Sequence, residues 1–98
     1  MIIRIVKLSF HPEYISDFKT IFEESKQKIV SQKGCNRLEM LKDINDVNVI
    51  FTYSWWDSQD DINNYKNSEL FKDVWSKTKI LFNKKPEAWS TKKINEVL

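Results

Sequence analysis

The sequence predicts an α+β domain of order βαββαβ, built on one four-stranded antiparallel sheet. Three observations carry this prediction. The chain opens with a short β-branched run, residues 2–10, that stops at His11-Pro12. Two further β-rich runs, residues 36–42 and 47–56, are separated only by the polar Asp43-Ile-Asn-Asp46, a connection short enough for a hairpin. Helical periodicity fills the interval before this hairpin and the one after it.

Taken in order, Ile-Ile-Arg-Ile-Val-Lys-Leu-Ser-Phe at residues 2–10 has the β-branched content of a strand. Its faces are Ile3, Ile5, Lys7, Ser9 and Ile2, Arg4, Val6, Leu8, Phe10. Pro12 suits the first turn of a helix, where a missing N–H costs nothing, and Glu13 and Asp17 favour the positive end of its dipole. Tyr14, Ile15, Phe18, Ile21, Phe22 and Ile29 then repeat at helical spacing to about Gln32. Gly34 is the only glycine, and its place just beyond that periodic run marks it as a left-handed C-terminal cap.

The strand at 47–56 has faces Val49, Phe51, Tyr53, Trp55 and Ile50, Thr52, Ser54, Trp56. Ser58-Gln-Asp-Asp61 has a cap and an acidic first turn, so a short helix is expected through Tyr65. Asn67 or Ser68 can restart the chain into a second helix. Its apolar stripe is Leu70, Phe71, Val74, Trp75, Leu81 and Phe82, and it stops at Asn83-Lys-Lys-Pro86. Residues 88–94 read as a short, lysine-bearing edge strand. This order is the ferredoxin-like split βαβ arrangement.

Composition narrows the function. At 98 residues the chain is one domain, 1–98, with 41% hydrophobic and 13% aromatic residues, enough to build a core. The net charge of +2 comes without a lysine or arginine block, so no nucleic-acid surface is expected. Cys35 is the only cysteine, which excludes an intramolecular disulfide and leaves too few thiols for a cysteine-based zinc site. No paired metal ligands, phosphate loop, dinucleotide fingerprint or Ser-His-Asp set is present, so neither metal nor cofactor is expected. The amino-terminal run lacks the form of a signal peptide, and no run approaches the ~20 apolar residues of a membrane span. A cytoplasmic protein is the expectation.

Two helical regions can cover only one face of a four-stranded sheet, yet the first and third strands are apolar on both. The second face therefore calls for a partner surface, and a second copy of the chain, sheet against sheet, is the expected one.

Several motifs together carry a family resemblance. These are the opening Ile-Ile-Arg-Ile-Val-Lys-Leu-Ser-Phe-His-Pro-Glu, the Lys33-Gly34-Cys35 turn and Phe51-Thr-Tyr-Ser-Trp-Trp-Asp-Ser58. Tyr65-Lys-Asn-Ser-Glu-Leu-Phe71 and Lys85-Pro-Glu-Ala-Trp89 complete the set. The chain resembles the antibiotic biosynthesis monooxygenase family over essentially its whole length. That resemblance implies a homodimeric α+β barrel with a pocket in each subunit between sheet and helices. Characterised members of that family include oxygenases that oxidise phenolic or quinol substrates without metal or flavin, and enzymes that degrade haem. The haem-degrading pattern has a tryptophan, a haem-ligating histidine ten residues later and an asparagine on the first strand. Tyr65 and Trp75 stand at the first two positions here, and the first strand has no asparagine. A tryptophan ring nitrogen only donates and cannot ligate iron, so haem chemistry is not expected.

The candidate catalytic groups are therefore Tyr65, Tyr53 and His11, with Trp75, Phe71, Trp55, Phe51 and Arg4 as candidate pocket walls. Strand alternation lets only one face of 47–56 meet the helices. The more aromatic Phe51, Tyr53, Trp55 set matches the helical stripe and is the one expected there; if it faces the second copy instead, Thr52, Ser54 and Trp56 line the cavity. His11, before Pro12, is either a solvated or capping residue or a general base. Arg4 needs a partner within its apolar strand, for which Glu39 is one candidate, or else it marks an anion site. The reading that follows is a cofactor-independent monooxygenase acting on a small phenol or quinol. The alternative is a non-catalytic dimeric module that binds a small molecule or serves a stress response.

Overall fold

In a computed structural model describing residues 1–98, the elements run β1 (Ile2–Ser9), α1 (Ile15–Val30), β2 (Cys35–Lys42), β3 (Val49–Trp56), α2 (Gln59–Lys66), α3 (Glu69–Thr78) and β4 (Glu87–Thr91). The strands form one antiparallel sheet in the order β2-β3-β1-β4. This is the predicted βαββαβ, ferredoxin-like arrangement, with the second helical position divided between α2 and α3.

The helix ends follow from local chemistry. Residues Pro12–Tyr14 form a 3-10 turn, with the Tyr14 N–H donating to the His11 carbonyl, before α1 begins at Ile15. Ser58 caps α2 by accepting from the Asp61 N–H, and Ser68 caps α3 by accepting from the Phe71 N–H. The break between α2 and α3 is therefore written into two serines ten residues apart. After Thr78 the backbone tightens into a 3-10 turn, Lys79–Leu81, which buries Leu81 and leads Phe82 to a bridge with Phe10.

Gly34 is left-handed, with φ of 83°, but it is not the helix cap. Helix α1 ends at Val30, and Gly34 is the third residue of a turn closed by the Cys35 N–H donating to the Gln32 carbonyl. A β-carbon here would lie 2.2 Å from an Asp61 carboxylate oxygen, so glycine is required both for its backbone angle and for its size.

The register fixes which side chains meet the helices. Val6 lies opposite Thr52, Arg4 opposite Ser54 and Ile2 opposite Trp56, and Leu38 of β2 also pairs with Ser54. Phe10, Leu8, Val6, Ile50 and Phe18 form one core cluster with Leu81. Trp56, Tyr65, Ile62 and Ile29 form a second at the other end of the sheet. Both clusters lie between the sheet and its helices. The reverse face, carrying Ile3, Ile5, Phe51, Tyr53 and Trp55, has no element of this chain over it.

Candidate functional site

Between the two core clusters lies a cleft. Its floor is Arg4, Val6 and Leu8 of β1 with Thr52, Ser54 and Trp56 of β3. Its walls come from α1 (Phe18, Ile21, Phe22), α2 (Tyr65) and α3 (Phe71, Val74, Trp75). The chamber that these residues enclose measures about 90 Å³. The chamber is smaller than the ~150 Å³ apolar cavity that takes up benzene. It holds a single ring at most, with any remainder of a ligand in the mouth.

The floor explains why there is a chamber at all. Thr52 and Ser54 are small, so the sheet stands back from the helices between the bulk of Ile50 and that of Trp56. Trp56, fully buried, donates its indole N–H to the Ser54 hydroxyl at 2.8 Å, which holds the ring at the edge of the space. From Trp56 an aromatic chain runs round the wall. Tyr65 stacks on Trp56 at 5.2 Å and meets Phe71 edge-on at 5.2 Å, and Phe71 lies parallel to Trp75 at 5.9 Å. Such contacts fix each ring by its neighbours, so the wall is preformed rather than loose.

Only two groups on the cleft wall ionise, Arg4 and Tyr65. Burial pushes the Tyr65 phenol up to about 12, although the nearby Arg4 charge pulls the other way. Tyr65 is therefore a hydrogen-bond donor at neutral pH and not a base. Burial also lowers the Arg4 guanidinium, while Tyr65 opposes that shift. Arg4 makes no ion pair: the protein's ion pairs are Lys26–Glu23, Arg37–Glu39, Lys72–Glu69, Lys77–Asp73 and Lys93–Glu96. The expected pairing with Glu39 fails because Glu39 sits opposite Tyr53 on the reverse face, where Arg37 takes it.

The structure brings together Tyr65, Trp75, Phe71 and Arg4 from the sequence-derived candidates. It does not bring Phe51, Tyr53 or Trp55, which the register turns to the other side of the sheet. There Tyr53 packs on Trp55, and the Arg37 guanidinium lies 5.1 Å from the Trp55 ring centre. His11 is also remote from the cleft: it is exposed, precedes the first turn at Pro12 and meets the Tyr14 ring edge-on at 5.9 Å. Neither Tyr53 nor His11 lines the chamber. Cys35 is half-buried, its thiol pushed up by burial, and it is not on the wall. Thr52, Ser54 and Trp56, which sequence reasoning held only as the alternative face of the strand, are the ones on the floor. One signal for them was their small size, since a cavity needs a floor of short side chains.

A family model for antibiotic biosynthesis monooxygenase matches residues 1–76. Among solved structures, a crystal structure of an antibiotic biosynthesis monooxygenase is 14% identical, covers 97% of this chain and 100% of its own, and superposes with a TM-score of 0.90. A conserved protein from Methanosarcina mazei Go1 is 17% identical over 95% of this chain and 93% of its own, with a TM-score of 0.88. SnoaB, a cofactor-independent oxygenase from Streptomyces nogalater solved in a mutant form, is 14% identical over 98% of this chain and 95% of its own, with a TM-score of 0.86. At these identities the likeness is one of fold. A comparison with curated proteins found no match.

Proposed function

The chain belongs to the antibiotic biosynthesis monooxygenase family, and from that premise we propose that it is a cofactor-independent monooxygenase for a small phenol or quinol held in the cleft. The observation that carries this reading is the wall itself: an unbroken run of packed aromatic rings, Trp56, Tyr65, Phe71 and Trp75, facing a chamber that admits no more than one ring. A planar ring entering it is shielded from water and stacked.

For a phenol with a free para position, the balanced reaction is phenol plus O2 giving quinone plus water. The phenol loses its O–H proton, the phenolate passes one electron to O2, and the two radicals join through a new carbon–oxygen bond. Loss of water, taking the ring hydrogen and cleaving the O–O bond, leaves the quinone. Tyr65 donates a hydrogen bond to the phenolate oxygen, and Arg4 supplies the positive charge that stabilises it. Trp75 and Phe71 hold the ring. The bare face of the sheet is covered by a second copy of the chain, so that the working form is a dimer.

Oxygen uptake with a panel of monophenols that have a free para position, without release of hydrogen peroxide, tests this. Uptake matched by quinone formation is expected, falling at least tenfold in Tyr65→Phe or Trp75→Ala. Activity unchanged in both variants would place the site elsewhere. One observation favours the second reading, a module that binds without turnover: no carboxylate or imidazole lines the cleft to take a proton. Ligand-dependent thermal stabilisation without oxygen uptake would select it.

A further inference from the structure

The cleft's polarity is one-sided. Its wall is apolar apart from a few hydroxyls and two strong donors, the Arg4 guanidinium and the Tyr65 phenol. Neither side chain hydrogen-bonds within the chain, and no polar atom of either is sealed from solvent, so both open into the cleft. The hydroxyls are largely engaged: Ser25 donates to the Ile21 carbonyl, Thr78 to the Val74 carbonyl, and Ser54 accepts from Trp56.

Charge facing Arg4 is absent from every side. Across the sheet its neighbours are Ser54 on β3 and Ser90 on β4. From the helices Ser25 and Tyr65 share its chamber, and the thiol of Cys35, beside Tyr65, is kept neutral by burial. A guanidinium partly buried among apolar side chains without a counter-ion is disfavoured by that burial, which lowers it, and it keeps its charge through its opening to the cleft. Pairing it inside the chain would need one carboxylate, and none is placed there. An aromatic cavity that keeps such a charge unpaired is shaped for a ligand that brings the anion with it.

We propose that the cleft takes its aromatic ligand as a monoanion, with a ring-borne oxyanion seated between the Arg4 guanidinium and the Tyr65 hydroxyl and the ring against Phe71 and Trp75. The oxyanion is a carboxylate or a phenolate. Either accepts two or more charge-assisted hydrogen bonds from this pair of donors. A phenol entering the site releases its proton to bulk water, because the wall has no base to receive it. Arg4 then does the work that a base would otherwise share: its charge and hydrogen bonds favour the phenolate directly, against the burial that dominates at Tyr65. The proposal extends the reading above to the ligand's charge. It relies on that reading only for the cleft being the working site, not for oxygen chemistry.

The test is an anaerobic titration of the full chain, followed by tryptophan fluorescence, with benzoate and its neutral isostere benzamide. A second arm follows 4-nitrophenol by absorbance, which reports its ionisation. Benzoate is expected to bind at least tenfold more tightly than benzamide. Bound nitrophenol is expected to ionise at lower pH than free nitrophenol. In Arg4→Gln both differences disappear while the thermal midpoint holds or rises, because a partly buried, unpaired charge has been removed. A purely structural arginine would lower the midpoint instead. Success in the benzoate arm identifies a carboxylate, and success in the nitrophenol arm a phenolate. Equal affinity for benzoate and benzamide together with an unshifted or raised nitrophenol pKa would overturn the proposal, and that comparison needs no variant. Anion selectivity without oxygen uptake would leave this inference standing and remove the oxygenase reading; uptake without selectivity would do the reverse.

Discussion

The two faces of the sheet differ in a way that composition alone conceals. The helix-covered face carries Arg4, Val6, Leu8, Thr52, Ser54 and Trp56; the bare face carries Ile3, Ile5, Phe51, Tyr53 and Trp55, with Trp89 of β4 45% exposed. The bare face is the more aromatic, yet the covered one holds the cleft. The difference teaches that side chains large enough to fill a face leave no chamber in it. A ligand site needs short residues on the floor and rings on the walls, and this protein takes the rings from its helices.

Adjacent tryptophans on β3 set the two faces directly against each other. Trp56 is fully buried under the helices, so Trp56→Ala should cost about 3–5 kcal/mol in urea unfolding. Its neighbour Trp55 faces the other way, and a similar cost for Trp55→Ala in the isolated chain would mean the faces are not distinct. Tyr65 provides the next effect. Its folded-state pKa is raised from 10 to about 12, so the stability it contributes is complete below pH 10. That contribution is lost as the pH climbs from 10 to 12. The loss should be about 2–3 kcal/mol at 1.36 kcal/mol per unit, and it should be missing in Tyr65→Phe.

Smaller effects sharpen the contrast. Thr52→Leu fills the floor of the cleft at a cost within about 1.5 kcal/mol, but it should abolish ligand-induced thermal stabilisation. The same swap on the reverse face, Tyr53→Leu, should leave that stabilisation intact. Smallest of all, Trp55→Ala removes a half-buried ring and its cation–π contact with Arg37, worth under about 1 kcal/mol to the single chain. Its larger consequence should be on association, seen as a shift toward monomer in sedimentation velocity.

Much of the fold was readable from residues because local signals agreed. Ser58 and Ser68 announced their helices, Gly34 its left-handed backbone, and the polar 43–46 connection its hairpin. The function of Gly34 was misread by one element, because a turn glycine and a cap glycine demand the same φ. Of the candidates, Arg4 on its strand, Phe71 and Trp75 on the helical stripe and Tyr65 just before it all lie on the cleft wall. The favoured face of β3 does not. Hydrophobic alternation reports that a face is covered, not what covers it, and apolar side chains on both faces of β3 give the same pattern under helices as they would under a second molecule. Matching aromatic to aromatic favoured Phe51, Tyr53 and Trp55, whereas the register with β1 puts Thr52 and Ser54 beneath the helices.

The four tryptophans divide evenly between the two faces, Trp56 and Trp75 on the cleft and Trp55 and Trp89 on the bare side. A nitrogen-15 correlation spectrum of their indole N–H groups, recorded with and without hydroquinone under anaerobic conditions, therefore reads both faces at once. The account predicts that the Trp56 and Trp75 signals move while Trp55 and Trp89 stay in place. Movement confined to Trp55 and Trp89, or none at any of the four at saturating hydroquinone, would contradict it.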